Sequence, residues 1–318
     1  MPNPSMQFLE RHKGWLSAVI TVLIWTFFII IARASASHTL LPLDIAFLRI
    51  VGASCVLLPL GLWLRRHQPS TGSLWGLSPL PLRATWLAGL FGSTLYAMLA
   101  YAGFFFAPAA HASVLMPGSL PLWTSLLAWW LLKDRLSSAR LIGLGLILGG
   151  DLLVGGASLW HAFDGGDMWK GDVLFVSAAM CWAVYSVLVR HHGLNAIEAT
   201  IGITAFSCVF FLPSYAVAAL LGWVPSHLQS APWQEMLFQA VYQGIGSVAI
   251  SGITFNVMIR CYGPVRSTMM TALVPGLSAL GAVALLDEPM SWNLMAGLAC
   301  VTLGILAGSW VKPSSHKP

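Results

Sequence analysis

Long runs of apolar residues, separated by short polar turns, fill almost the whole chain. Each run holds roughly 20 residues, and a helix of that length crosses the ~30 Å hydrocarbon core of a bilayer. Ten such runs can be placed, over residues 15–32, 45–64, 84–106, 109–132, 139–159, 171–189, 197–222, 236–259, 265–286 and 292–311. The pattern therefore predicts an all-α polytopic membrane protein with ten transmembrane helices that contacts the lipid bilayer along its length.

The second half of the chain repeats the pattern of the first half. Residues 101–150 align with residues 255–304 at a constant offset of 154 positions. The matched pairs at this offset include Pro121/Pro275, Asp134/Glu288 and Gly150/Gly304. At an offset of 157 positions, Trp25 in the first run matches Trp182 in the sixth. The period is far longer than that of a solenoid, so the chain is predicted to be a two-fold repeat.

Each copy of the repeat holds five runs, and an odd number of crossings reverses the direction of the second copy. The sequence thus predicts two inverted five-helix repeats, residues 1–160 and 161–318, within one integral membrane domain. Inverted repeats of this kind are common among secondary transporters, where they create two related conformations around one central site.

Composition supports a membrane protein and narrows its chemistry. The 318 residues are 57% hydrophobic and 8% charged, whereas soluble domains hold about 25% charged residues. The five cysteines lie within apolar runs without metal-ligand spacing, so no metal or cofactor is expected. The chain contains neither an H-E-x-x-H motif nor a nucleotide-binding loop, which disfavours a membrane-embedded enzyme and an ATP-driven pump.

The basic residues predict the orientation. If the N-terminus lies in the cytoplasm, 13 of the 16 Lys and Arg residues are inside, Arg33 and Lys170 are outside, and Arg49 lies within a run. Such a bias follows the positive-inside rule and places both termini in the cytoplasm. It also explains the net charge of +5 without a nucleic-acid partner.

These features resemble the EamA family of the drug/metabolite transporter superfamily. Each repeat has a Trp in its first run, a Pro in its fourth, an acidic turn and a Gly-containing last run. The acidic turns read Lys133-Asp134-Arg135-Leu136 and Asp287-Glu288-Pro289-Met290, and the second run contains Phe47-Leu48-Arg49. The resemblance implies a multi-pass carrier of the bacterial inner membrane, commonly an exporter of amino acids or other small metabolites.

Polar and aromatic side chains within the runs are the candidates for solute binding. Buried amides need several hydrogen-bond partners, so they either line a cavity or bond across packed helices. Aromatic residues at mid-run either pack or line a pocket for a flat or amphipathic solute. The candidate substrate-binding residues are Trp25, Tyr96, Tyr101, Trp182, Tyr185, Tyr242, Gln243 and Asn256.

Charged residues inside membrane spans are usually functional because their burial is costly. Asp151 lies eleven residues beyond Arg140, roughly 16 Å along a helix and so near the midplane. Asp151 is open to three interpretations: an ion pair with Arg49, a proton-coupling group, or a counter-charge for a cationic solute. The turn residues Asp134 and Glu288 are expected to cap the helices that follow them.

Small-residue spacing also predicts helix contacts. Gly145 and Gly149, like Gly304 and Gly308, are four positions apart, a pattern that allows close helix packing. The contact can lie within the monomer or form a homodimer, and the sequence does not choose between them.

The leading hypothesis is a secondary transporter that moves an apolar or aromatic amino acid, or a similar amphipathic metabolite, in the export direction, with proton coupling open. The alternative solutes are cationic drugs and nucleobase- or nucleoside-type metabolites. A membrane-embedded enzyme is the less favoured class.

Overall fold

The structure, a computed structural model, describes residues 4–67, 72–134, 137–162, 165–271 and 273–309. Within these ranges nine helices are long and apolar enough to cross a bilayer, and a tenth apolar helix is shorter. This confirms the predicted all-α polytopic membrane protein. We number the helices α1 Pro4–Ser35, α2 Pro42–His67, α3 Leu82–Phe106, α4 Ala109–Leu131, α5 Ser138–Ala162, α6 Met168–His191, α7 Ala196–Leu220, α8 Trp233–Tyr262, α9 Pro264–Met270 with Leu273–Leu286, and α10 Trp292–Ser309.

Helix packing follows the two-fold relation that the sequence predicts. Helix α1 packs against α8 and α9, just as its counterpart α6 packs against α3 and α4. Helix α2 contacts α8, and its counterpart α7 contacts α3. Three further pairs, α2 with α7, α4 with α9, and α5 with α10, map onto themselves. The packing therefore agrees with two five-helix repeats, which cross the membrane in opposite directions because each has an odd number of spans.

Three helices contain wider, π-helical turns. They occur at Leu90–Thr94 in α3, Val114–Gly118 in α4 and Ala240–Ile250 in α8. The turns in α3 and α8 occupy equivalent positions of the two repeats. In α4 the turn contains Pro117, which has no backbone N–H to continue the regular hydrogen-bond pattern. Such turns often occur at functional sites, and here the turn of α4 lines the central cavity described below through Met116 and Pro117.

Glycines allow two very close helix contacts. A Cβ atom on Gly52 of α2 would lie 1.9 Å from the carbonyl oxygen of Ala240 in α8. Between α5 and α10, a Cβ atom on Gly143 would lie 2.5 Å from the carbonyl oxygen of Gly304. Both pairs of helices pack at backbone distance, which only small residues permit.

The predicted contact between α5 and α10 is present and involves Gly304 and Gly308, but the expectation that Gly145 and Gly149 take part in it is wrong. A Cβ atom at either position would meet nothing within 4 Å. The contact with α10 is instead made by Gly143 and Gly150, because these two glycines lie on the face of α5 that points toward α10.

The bundle has two polar ends. We call the end at which α1 finishes and α10 begins the Glu288 end, and the opposite end, between α4 and α5, the Asp134 end.

Candidate functional site

A cavity lies at mid-length of the helices, between the two repeats. The volume of this cavity is only about 20 Å³. Binding sites for small molecules usually measure about 300–1,000 Å³, so a solute would enter only if side chains move apart. The lining is almost entirely apolar or aromatic and consists of Trp25, Phe28, Ile29, Tyr96, Met116, Pro117, Leu120, Ala179, Trp182 and Val274.

Aromatic rings from both repeats meet at this cavity. Trp25 and Trp182, the pair matched by the sequence repeat, contact edge to face with ring centres 5.8 Å apart. Tyr96 packs on Trp182 at 4.9 Å. The Trp25 indole N–H donates to Ser251 at 3.3 Å, whereas the buried Trp182 indole N–H has no partner. The structure thus brings three predicted residues together at one site and leaves one of them a free hydrogen-bond donor.

Two other predicted residues, Tyr185 and Asn256, lie away from the cavity lining. The Asn256 amide nitrogen donates to the Tyr185 hydroxyl at 2.7 Å and to Thr200 Oγ1 at 3.1 Å. These bonds join α8 to α6 and α7, so both residues hold helices together, which is the packing alternative that the sequence left open. Tyr185 still supports the site, since its ring contacts Trp182 at 5.2 Å.

The predicted residues Arg49 and Tyr101 lie next to the cavity. Arg49 is 3% exposed. Its Nη1 atom donates to Ser247 at 3.0 Å and to the Tyr101 hydroxyl at 3.3 Å. Its guanidinium lies over the rings of Phe28 and Tyr96, at 5.6 and 5.9 Å, and both of these rings also line the cavity.

Gln243 and Tyr242 come from the π-helical segment of α8. Gln243 is fully buried, and neither its amide oxygen nor its amide nitrogen has a hydrogen-bond partner. The Tyr242 hydroxyl donates to the carbonyl oxygen of Ile24 in α1 at 3.1 Å. Tyr242 therefore ties α8 to α1, whereas Gln243 keeps its full bonding capacity.

The ion pair between Asp151 and Arg49, one of the three interpretations that the sequence left open, is not formed in this structure. Arg49 bonds to Ser247 and Tyr101, and the Asp151 Oδ1 atom is buried without a partner. The cause is topological, because α5 packs against α10, whereas α2 packs against α7 and α8. A coupling role for Asp151 stays a prediction.

Similar proteins agree with this architecture. The profile of the EamA-like transporter family matches the chain twice, over residues 12–156 and 169–309. The chain belongs to this family. An uncharacterized transporter of Bacillus subtilis, YyaM, is 24% identical over 71% of this chain and 71% of its own. An uncharacterized transporter of Archaeoglobus fulgidus is 28% identical over 64% of this chain and 67% of its own.

A plant protein and a solved structure are also similar to this chain. A WAT1-related protein of Arabidopsis thaliana is 26% identical over 74% of this chain and 68% of its own. A solved crystal structure, 22% identical, superimposes with a TM-score of 0.64 over 93% of this chain and 97% of that one. This EamA-like protein is therefore a membrane transporter of a small solute.

An acidic side chain joins several helices at the Glu288 end of the transporter. Glu288 accepts hydrogen bonds from the backbone N–H groups of Ala109 and Ala110, at 3.1 and 3.2 Å. It also pairs with Arg33 at 3.0 Å, and Arg33 donates to the carbonyl oxygen of Phe104 at 2.8 Å. One carboxylate thus joins α1 and α4 to the α9–α10 turn, and Arg33 extends the network to α3.

The expectation that Asp134 and Glu288 cap the helices that follow is wrong. Glu288 caps α4, which starts close to it in space, rather than α10. Asp134 is exposed, and the Ser137 hydroxyl accepts the bond from the backbone N–H of Arg140 in the first turn of α5. The two acidic turns are equivalent in sequence but not in their contacts.

Two buried acids at the Glu288 end were missed by the sequence analysis. Asp172 of α6 pairs with His111 of α4, with 2.9 Å between Oδ1 and Nδ1. Asp44 of α2 accepts bonds from Tyr215, Ser226 and the backbone N–H of His227, which join it to α7 and the loop that follows. Both acids lie in the first turns of their helices, and from the sequence alone an acid at such a position is equally consistent with a solvent-exposed helix end. Only the fact that the even-numbered helices all begin at this end could have indicated a shared network.

Proposed function

We propose that this protein is a secondary transporter that moves a small amphipathic solute by alternating access. The observation that carries the proposal is the central cavity, in which Trp25 of the first repeat meets Trp182 of the second at mid-length of the helices. A site on the two-fold relation between inverted repeats can be exposed to either side by related motions.

The lining favours a solute with a flat or apolar body, and apolar or aromatic amino acids are our best candidates. The cavity walls are carbon-rich, with few polar groups such as the free Trp182 indole N–H. A cationic drug fits less well, because the lining contains no carboxylate and the guanidinium of Arg49 lies beside it. An unpaired charge in such surroundings is costly.

The contacts at the two ends of the bundle support the proposal that one end is closed and the other is open. Glu288, Asp44 and the His111–Asp172 pair tie helices together at the Glu288 end. At the Asp134 end, the equivalents of Arg33 and Glu288, namely Arg190 and Asp134, are both exposed. We propose that transport exchanges these two arrangements, that the Glu288 end faces outward in a bacterial inner membrane, and that the solute moves in the export direction.

A labelling experiment tests this orientation. Single cysteines replace Ser37, exposed at the Glu288 end, and His192, exposed at the Asp134 end, in a variant without the five native cysteines. A membrane-impermeant maleimide should label the Ser37→Cys variant in intact cells and the His192→Cys variant only after permeabilisation. The opposite labelling pattern would reverse the proposed orientation.

Transport in proteoliposomes tests the solute class. We expect counterflow of radiolabelled phenylalanine or leucine that needs no ATP, and weaker binding in the Trp25→Ala and Gln243→Ala variants. Loss of ring contacts, or of a buried hydrogen-bonding group, should cost about 1–3 kcal/mol, or roughly a five- to hundredfold rise in Kd. Trp292→Ala, at a residue that is 83% exposed, is the control and should bind like the wild type. Unchanged affinity in both test variants would show that the solute binds at a different site.

A further inference from the structure

Arg49 is a buried cation without a protein counter-ion among the described residues. The ion pairs in the described part of the chain are Arg33–Glu288, His111–Asp172 and Lys170–Asp167. The Arg49 guanidinium has only two hydroxyl partners, and its Nε atom has none. A charge in the middle of a membrane protein is costly unless it is paired. The arginine therefore has unused capacity to bind an anion.

Three aromatic rings hold the Arg49 guanidinium in a defined position. Phe28, Tyr96 and Tyr101 surround the guanidinium, with ring centres 5.6–6.0 Å from its central carbon. Aromatic rings stabilise a cation without neutralising it, so they hold the arginine in place and leave its charge available. Because Phe28 and Tyr96 also line the central cavity, the guanidinium lies at the edge of the cavity.

Gln243 supplies a second unpartnered group from the facing helix. It precedes Ser247, the residue that binds Arg49, by four positions on α8, and α8 packs on α2 at this level. The side chain is fully buried, and both of its polar atoms lack partners. A buried amide without hydrogen bonds destabilises the protein. The helix that supplies the Ser247 partner of Arg49 thus also carries an amide with unused hydrogen-bonding capacity.

We propose that Arg49 and Gln243 form the polar end of the central site and that the transported solute carries a carboxylate. The inference rests on the proposed transport function and adds the charge of the solute to it. The guanidinium can bind a carboxylate through its unused N–H groups, and the Gln243 amide nitrogen can donate a further bond. The Gln243 amide oxygen remains free to accept a bond from an ammonium group, as an amino acid would provide. The apolar part of the solute then extends toward Trp25 and Trp182.

Two ligands of equal size distinguish the contribution of the carboxylate charge to binding from the contribution of ligand shape. 3-Phenylpropionate carries a carboxylate, whereas 3-phenylpropionamide is neutral, and binding of each to the detergent-purified protein is followed by thermal stabilisation. The wild type should bind the acid at least tenfold more tightly than the amide. Arg49→Gln should remove this preference. Arg83→Gln, at an exposed arginine, should keep it.

The Gln243→Glu variant tests the inference even if Arg49→Gln does not fold. It places a carboxylate within the chain at the proposed anion position. We expect Gln243→Glu to raise the melting temperature, because the new carboxylate pairs with Arg49, and to abolish the preference for 3-phenylpropionate. A lower melting temperature, or undiminished binding of the acid, would overturn the inference.

The outcomes distinguish the two levels of the proposal. Equal binding of acid and amide by the wild type would refute the carboxylate but leave an aromatic solute in the cavity. If the wild type binds neither probe nor phenylalanine, the proposed solute class fails. The melting temperature of Gln243→Glu then still decides whether Arg49 lacks a counter-ion.

Discussion

Replacing Gly52 by alanine should destabilise the transporter more than any other single methyl group added to its helices. The new Cβ atom would lie 1.9 Å from the carbonyl oxygen of Ala240, so α2 and α8 would have to separate. Neither atom is the end of a flexible side chain that could rotate away. Overpacking of this kind costs about 3 kcal/mol, and it would also displace Arg49, which lies one turn earlier on α2. We expect a large loss of monodisperse protein on size-exclusion chromatography and a lower melting temperature.

Gly244 and Gly246 provide a matched pair for this experiment. A Cβ atom on Gly244 would lie 2.7 Å from the backbone nitrogen of Ala53, whereas one on Gly246 would meet nothing within 4 Å. Both glycines lie in the π-helical segment of α8. Gly244→Ala should therefore resemble Gly52→Ala, and Gly246→Ala should fold like the wild type. Wild-type stability of Gly52→Ala and Gly244→Ala would show that the two helices are farther apart than the structure places them.

The membrane spans and the repeat could be predicted from the sequence because both leave a periodic signal. A stretch of apolar residues long enough to cross the bilayer needs no tertiary information, so all ten predicted spans coincide with helices apart from a few residues at their ends. The match of Trp25 with Trp182 likewise predicted which rings could meet, since residues related by a two-fold repeat lie opposite each other near its axis.

The polar contacts could not be predicted, because they join helices that are far apart in the sequence. Arg49 and Asp151 are both charged residues within predicted spans, yet α2 packs against α7 and α8, whereas α5 packs against α10. Glu288 contacts Ala109 rather than the next helix, since the start of α4 is closer in space. Asn256 and Gln243 illustrate the same limit: both are buried amides, but only the fold shows that Asn256 has partners and Gln243 has none.

Glu288→Gln should open the Glu288 end of the transporter. The carboxylate binds Arg33 and two backbone N–H groups at once, whereas a neutral amide has a single acceptor oxygen and no charge. Loss of such charge-assisted bonds costs about 1.5–3 kcal/mol, which corresponds to a ten- to hundredfold increase in the open population. A cysteine at the fully buried Ser113, one turn inside Ala109, reports this opening. Its reaction rate with a soluble maleimide should rise by that factor in the variant.

The equivalent acid of the first repeat provides the control for this prediction. Asp134 is exposed and Glu288 is not, so Asp134→Asn should leave the reaction of the cysteine at position 113 unchanged. Arg33→Gln should reproduce much of the Glu288→Gln effect, because it removes the other half of the ion pair. If Glu288→Gln and Asp134→Asn accelerate labelling equally, the ion pair does not hold this end closed. If only Glu288→Gln accelerates labelling, the network that joins α1 and α4 to the α9–α10 turn is what keeps this end of the transporter closed.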